Sequence, residues 1–223
     1  MKKVVIFDLD NTLVNLDFET TNCHDDFVNM LGLDLLKNTE VIDEMINFFK
    51  IFDKHFNNKV VTMRETKDLL RGTCPFIKKY NLSVDVVLRA LFDATIRATR
   101  KIDGASEVLV YLKNKGYTLI ILTNWFEHVQ IGKLKLTDLN KFFDQIVCAD
   151  GNYLKPNVKS LAMILSKFRA EDCVLVGNSY EKDIVLGAKT GIDTIWLRSD
   201  NIRIENNLAT HSVTNIKEIE KIL

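Results

Sequence analysis

The apolar run Val4–Phe7 constrains the fold most, because it has to find its partner strands far along the chain. The run has the length of a strand and is rich in β-branched residues, which favours a buried strand. From about Asp17 to about Arg100 the sequence contains no convincing strand, so the partners must come from the C-terminal portion. We therefore predict one α/β domain that is interrupted by a helical insert and resumes near Gly104.

The C-terminal portion alternates between apolar strands and helical segments. Four further strands are predicted at residues 117–122, 145–148, 173–176 and 193–197, and helices, including 158–168 and 181–190, fit between them. Near-continuous apolar strands joined by helices are typical of a parallel sheet that is buried on both faces. The predicted fold class is α/β, with a Rossmann-like parallel sheet as the core and helices on both of its faces.

The insert shows helical periodicity instead of strand alternation. Breaks between helices are predicted at Gly72–Pro75 and at Asn81–Ser83, with Ser83 as a helix N-cap. We predict a small all-helical bundle. The apolar residues at three- and four-residue spacing are Val41, Met45, Phe48, Phe49 and Phe52 in one segment, and Val84, Val87, Leu88, Leu91 and Phe92 in another.

Composition argues against several classes of partner. Thirty basic and thirty acidic residues give a formal net charge of zero, without the basic excess that marks a nucleic-acid or membrane surface. The sequence shows neither a signal peptide nor an apolar stretch long enough to cross a bilayer. Its four cysteines are scattered, which is typical of reduced thiols. We expect a cytoplasmic protein with no nucleic-acid or membrane partner, and the sequence leaves its oligomeric state open.

Polar residues follow the predicted strands where each strand ends. They are Asp8 and Asp10 after the first strand, Thr123 and Asn124 after the second, Gly177, Asn178 and then Asp183 after the fourth, with Lys155 between the third and the fourth. Taken singly, each could be a turn, a helix cap or a solvated lysine. In a parallel sheet, however, all these strand ends meet at one edge. Two acids in one small site suit a magnesium site, and also a carboxylate nucleophile beside an acid/base.

In this order the residues resemble the four motifs of the haloacid dehalogenase superfamily of phosphohydrolases. The segment Asp8-Leu9-Asp10-Asn11-Thr12 resembles its DxDxT first motif, and Thr123, Lys155 and Gly177-Asn178-Ser179 with Asp183 resemble the second, third and fourth. The resemblance covers essentially the whole chain, because the insert is similar to the helical cap of the first subclass. It implies a core domain of residues 1–15 and 101–223 and a helical cap domain of residues 16–100.

The resemblance also implies a role for each residue. Asp8 would be the nucleophile that forms an aspartyl-phosphate, and Asp10 would be the acid/base. Thr123 and Lys155 would hold phosphoryl oxygens, whereas Thr12 would support the loop. The implied substrate-binding residues are Thr123, Asn124 and Lys155, and the implied Mg²⁺ ligands are Asp8, Asp10 through its backbone carbonyl, Asn178 and Asp183.

The sequence departs from the family pattern at Asn178, where the family usually has an aspartate that binds magnesium. An amide oxygen can bind magnesium but has no charge, so weaker metal affinity is expected. The implied function is a magnesium-dependent phosphatase acting on a small phosphorylated metabolite. A sugar-phosphate mutase and a non-catalytic phospho-ligand binding protein remain alternatives, while Asp10 disfavours a dehalogenase, which has no use for a second acid. The sequence does not identify the substrate or the cap residues that would select it.

Overall fold

The structure is a computed structural model that describes residues 2–17, 23–32, 47–48, 62–149, 151–199, 204–205 and 207–223. The chain forms two compact units. The sheet unit comprises Met1–Asn15 and Arg100–Leu223, and the helical unit comprises Leu16–Thr99. Most of the predicted helix around Phe48, including Val41, Met45, Phe49 and Phe52, lies outside the described residues.

A six-stranded sheet organises the sheet unit. The strands of the described chain are β1 (Val4–Phe7), β2 (Val14–Leu16), β3 (Thr99–Lys101), β4 (Thr118–Asn124), β5 (Gln145–Ala149), β6 (Cys173–Gly177), β7 (Asp193–Leu197) and β8 (His211–Val213). The sheet has the order β5-β4-β1-β6-β7-β8, and every neighbouring pair is parallel. The N-terminal strand therefore lies between β4 and β6, and its partners come from the C-terminal portion as predicted. The predicted Rossmann-like α/β fold is confirmed. Strands β2 and β3 pair separately.

The helical unit contains α1 (Cys23–Met30), α2 (Met63–Thr73), α3 (Pro75–Lys79) and α4 (Val84–Arg97) among the described residues. The predicted break at residues 72–75 and the predicted cap are both confirmed: α2 ends at Thr73, α3 begins at Pro75, and the Ser83 hydroxyl accepts a hydrogen bond from Asp85 N at 3.3 Å. Phe27 and Phe76 are fully buried and pack edge to face, which gives this unit an aromatic core.

Helices cover both faces of the six-stranded sheet. The helices of the sheet unit are α5 (Ala105–Asn114), α6 (Glu127–Leu136), α7 (Ala162–Leu165) and α8 (Val185–Thr190), with 3₁₀ turns at Asn140–Phe142, Gly151–Tyr153, Val158–Leu161, Ala170–Asp172 and Ile216–Lys221. Val5 and Phe7 of β1 pack into one apolar cluster, and Val4 and Ile6 pack into another. Because successive side chains of a strand point to opposite faces, a strand buried on both faces must be apolar at every position. No helix in the described chain is long and apolar enough to cross a membrane.

Two predicted helices differ in detail from the structure. The predicted helix at 158–168 is a 3₁₀ turn followed by the short α7, which ends at Leu165; the Ser166 hydroxyl donates a hydrogen bond to Met163 O at 2.9 Å. The predicted helix at 181–190 begins with the wider π turn Tyr180–Ile184 before α8. Such turns are frequent at functional sites, and this one contains Asp183.

Candidate active site at the edge of the sheet

A buried ion-pair cluster lies just past the end of β1. The Lys155 ammonium nitrogen is 2.7 Å from Asp8 Oδ1 and 2.6 Å from Asp183 Oδ1. Asp8 is 7% exposed, Lys155 4% and Asp183 0%, so the three charges have little water to stabilise them. The structure thus brings together three residues that the sequence places far apart. One cation between two carboxylates offsets part of the cost of burying all three.

The register of the sheet explains why Asp8 and Asp183 converge. β1 pairs with β6 so that Phe7 lies opposite Val176, and Asp8 N donates a hydrogen bond to Val176 O at 2.9 Å. Gly177 is the next residue of β6, and a Cβ atom there would overlap the Asp183 carboxyl group. Glycine is therefore required at this strand end, because the carboxyl group occupies the space of a side chain.

Thr12 connects the loop after β1 to the loop after β6. Its hydroxyl lies 3.1 Å from Asp8 Oδ2, to which it donates, and it accepts a hydrogen bond from Asn178 N at 3.1 Å. The carbonyl oxygen of Asn178 accepts a further hydrogen bond from Trp196 Nε1 at 2.9 Å. The backbone at Asn178 is therefore held on both sides, while its side-chain oxygen is 3.5 Å from the Thr12 hydroxyl.

Asn124 holds the backbone of the loop that contains Lys155. Lys155 N donates to Asn124 Oδ1 at 2.8 Å, and Asn124 Nδ2 donates to Lys155 O at 3.2 Å. Because both ends of the amide group bind the same residue, Asn124 fixes the peptide from which the lysine side chain extends. A direct contact between Asn124 and a substrate stays a prediction.

Asp10 lies in a second cluster, which is built from helix α6. Lys133 Nζ is 2.7 Å from Asp10 Oδ1, and Gln130 Nε2 is 2.8 Å from Asp10 Oδ2. The same amide nitrogen lies 2.7 Å from Thr123 Oγ1, so Gln130 links the predicted acid/base to the predicted phosphate-binding hydroxyl. Gln130 and Lys133 are not among the site residues predicted from the sequence motifs. Their spacing of i and i+3 after the end of β4 is the one available signal, and exposed polar residues of a helix share that spacing.

The charges of the first cluster perturb each other strongly. Burial raises the pKa of Asp8 to about 6 from 3.8; the Lys155 charge opposes this rise, while Asp183 and Asp10 add to it. Burial by itself would lower the pKa of Lys155, but the charges of Asp183 and Asp8 raise it above its ordinary value. The site therefore carries more negative charge than its lysine can balance, an arrangement that favours binding a further cation.

The donor atoms at this edge of the sheet fit magnesium. The carboxylates of Asp8 and Asp183 and the amide of Asn178 supply oxygen atoms, which hard cations prefer. Within the described part of the chain, no three acidic, histidine or cysteine side chains are grouped so that they could hold a metal. Magnesium needs no such cage, because it commonly binds through one or two carboxylates and keeps several waters. The individual ligands stay predictions.

Known proteins that are similar to this chain include enzymes named as phosphatases and nucleotidases. The glyceraldehyde 3-phosphate phosphatase of Methanothermobacter thermautotrophicus is 25% identical over 241 residues, and the match covers 100% of both chains. The pyrimidine 5′-nucleotidase YjjG of Escherichia coli is 26% identical over 66% of this chain and 67% of its own length. Among solved structures, the magnesium-bound HAD-hydrolase YfnB of Bacillus subtilis has a TM-score of 0.73 at 21% identity, with 100% of this chain and 99% of that chain covered.

The family model of haloacid dehalogenase-like hydrolases matches residues 5–197. That range begins in β1 and ends with β7, so it takes in Asp8, Asp10 and the strand ends that face them. Because the match spans well over half of the chain and includes the charged edge of the sheet, the protein belongs to the haloacid dehalogenase-like hydrolase family.

Proposed function

We propose that the protein is a magnesium-dependent phosphatase that hydrolyses a small phosphorylated metabolite through an aspartyl-phosphate intermediate. The observation that supports this most is the different surroundings of its two neighbouring acids. Asp8 is buried beside Lys155, whereas the Asp10 side chain is 35% exposed and bound by Lys133 and Gln130. Paired carboxylates in different environments are suited to different roles in one reaction.

In the first step an oxygen of the Asp8 carboxylate attacks the substrate phosphorus. The bond from phosphorus to the leaving oxygen breaks, and Asp10 gives that oxygen a proton. Lys155 and the Thr123 hydroxyl bind the oxygens of the transferring group, which lowers the repulsion between phosphate and carboxylates. In the second step Asp10 takes a proton from a water molecule, whose oxygen attacks phosphorus while the bond to Asp8 breaks. Inorganic phosphate leaves, and both acids return to their starting states.

Magnesium would be held by the Asp8 carboxylate, the backbone carbonyl of Asp10, Asn178 and Asp183. When bound, the ion supplies positive charge beside the nucleophile and the phosphate. Asp8 and Asp183 are both buried and both lie within hydrogen-bond distance of Lys155, so a bound cation would add positive charge beside two carboxylates and favour the ionised Asp8 that the attack requires.

A substrate panel tests this proposal. We expect purified protein to release inorganic phosphate with Mg²⁺ from at least one sugar phosphate, nucleotide or other small phosphate ester, and to stop when a chelator is added. The panel should include glyceraldehyde 3-phosphate and pyrimidine 5′-nucleotides, because two relatives are named for them. No phosphate release from any compound would contradict the proposal, and conversion of a sugar phosphate into its isomer would favour a mutase.

Asn178→Asp should strengthen magnesium binding. A carboxylate at this position adds a negative charge to the ligand set, so we expect the Mg²⁺ concentration for half-maximal activity to fall about tenfold. The backbone at residue 178 is fixed by Thr12 and Trp196, and the new side chain therefore starts from the same place. A magnesium titration of the phosphatase rate measures this. Exposed Asn140→Asp is the matched control and should leave the titration unchanged. No tightening in the 178 variant would show that this residue does not contact the metal.

A further inference from the structure

Helix α6 places a buried ammonium group against Asp10. Lys133 is 1% exposed, which is rare for a lysine because removing an ammonium from water is costly. Its nitrogen lies 2.7 Å from Asp10 Oδ1 and 4.8 Å from the centre of the Trp125 ring. Trp125 has a φ of 95°, a conformation that non-glycine residues rarely adopt. A strained backbone that brings a ring to a buried cation indicates a site that is maintained for function.

Gln130 binds the other oxygen of the same carboxylate. Its amide nitrogen lies 2.8 Å from Asp10 Oδ2, 2.7 Å from Thr123 Oγ1 and 3.0 Å from Asn124 O. A carboxylate and a backbone carbonyl can only accept hydrogen bonds, so the nitrogen of the amide group, and not its oxygen, must face them. The amide oxygen of Gln130 is buried and has no hydrogen-bond partner within the described residues. The side chain is therefore oriented by the oxygens that surround its amide nitrogen, although this leaves its own amide oxygen without a hydrogen bond.

Together the two side chains hold both oxygens of Asp10 from a single helix. Residues at i and i+3 lie on one helix face, so Lys133 and Gln130 are positioned by the same rigid element. A carboxylate bound at both oxygens cannot rotate freely, yet the Asp10 side chain keeps 35% of its surface exposed. It is therefore fixed in direction and still open to a reacting molecule.

We propose that Lys133 and Gln130 are positioning residues that orient Asp10 for both of its proton transfers. This inference rests on the proposed phosphatase function. Neither side chain exchanges a proton itself; each holds Asp10 where it can protonate the leaving oxygen in the first step and deprotonate water in the second. A small displacement of an acid/base group costs a large factor in rate, because proton transfer needs hydrogen-bond geometry.

Substrates with different leaving groups can distinguish a positioning role of Lys133 and Gln130 from a purely structural role. An alkyl phosphate releases an alkoxide that must be protonated, whereas p-nitrophenyl phosphate releases a stable anion that needs no proton. Loss of positioning should therefore impair formation of the aspartyl-phosphate from the alkyl substrate only. Hydrolysis of the aspartyl-phosphate by water still needs a base, so this second step should slow for both substrates.

The experiment compares Lys133→Met with unaltered protein on p-nitrophenyl phosphate and on an alkyl phosphate that the protein accepts. We expect kcat/KM for the alkyl phosphate to fall about 100-fold, and kcat/KM for p-nitrophenyl phosphate to change less than about threefold. With p-nitrophenyl phosphate, kcat should fall, and rapid mixing should show a burst of about one p-nitrophenolate per protein molecule as the aspartyl-phosphate accumulates.

Lys133→Arg should restore part of the alkyl phosphate activity. Lys135→Met is the matched control, because Lys135 is exposed on the same helix, and it should behave as unaltered protein.

Gln130→Met provides a second variant that leaves the ammonium in place and should show the same split between substrates, with a smaller loss. It keeps the test decisive if Lys133→Met does not fold. Equal losses of kcat/KM on both substrates in the folded variants would overturn the positioning role, and so would unchanged kinetics. If the unaltered protein releases phosphate from neither compound nor from the wider panel, the proposed function itself fails, and that outcome is distinct from parallel losses in an active enzyme.

Discussion

Replacing Asp8 with Asn should lower the rate of phosphate release by at least about 10⁴-fold, because an amide cannot form the acyl-phosphate bond. The substitution keeps the size of the side chain and removes its charge from the buried cluster with Lys155 and Asp183. Initial rates at saturating Mg²⁺ measure the loss. Acid quenching during turnover, followed by mass analysis, should find a phosphate on Asp8 in the unaltered protein and none on the variant.

Asp138→Asn is the matched control for this variant. Asp138 belongs to the same unit, but it is exposed and pairs with Lys141 at the surface, so its loss should leave the rate unchanged. Thermal unfolding of both variants checks that the fold is kept. If Asp8→Asn retained most of the phosphatase activity, the nucleophile would have to be another group. If it bound substrates no differently while the unaltered protein proved inactive, a binding role would replace the enzymatic one.

The parallel sheet could be predicted because a strand buried on both faces leaves an unambiguous sequence signal. Val4–Phe7 is apolar at every position, and the change to acidic residues at Asp8 marks where the strand reaches the edge of the sheet. The same reasoning placed Thr123 and Asn124 at the end of β4. The convergence of these residues follows from strand direction alone, so it needed no knowledge of side-chain contacts.

The features that could not be predicted from the sequence are those whose residue pattern is the same as that of ordinary surface segments. β8 is three residues long and its first two residues are exposed, so it has no apolar run. Gln130 and Lys133 are polar residues on a helix, a pattern that usually indicates a solvated face. Their burial depends on contacts with Asp10 and Thr123, which belong to other elements. Local periodicity cannot encode a partner that lies more than a hundred residues away in the sequence.

Lys155→Met should destabilise the fold more than a typical substitution does. It removes the cation between Asp8 and Asp183 and leaves two buried carboxylates without a charged partner, so we expect the free energy of unfolding at pH 7 to fall by about 3–5 kcal/mol. Urea denaturation in the presence of a chelator measures this change. Lys113→Met is the control: its pair with Asp144 lies at the surface, with the two side chains 37% and 44% exposed, and its loss should cost under about 1 kcal/mol.

The loss of unfolding free energy in Lys155→Met should depend on pH in a defined direction. In the folded protein the pKa of Asp8 is already about 6, above its ordinary value of 3.8. A folded-state pKa that is raised in this way means that the acid favours folding at low pH, and that this contribution is lost as the pH rises through the folded-state value.

Without Lys155 the pKa of Asp8 should rise further, so this loss of stability should extend to higher pH. The variant should therefore recover stability relative to unaltered protein when the pH is lowered from 7 to 5, because protonation removes the unpaired charge. A deficit of equal size at both pH values would show that the lysine stabilises the fold through packing of its side chain and not through its charge.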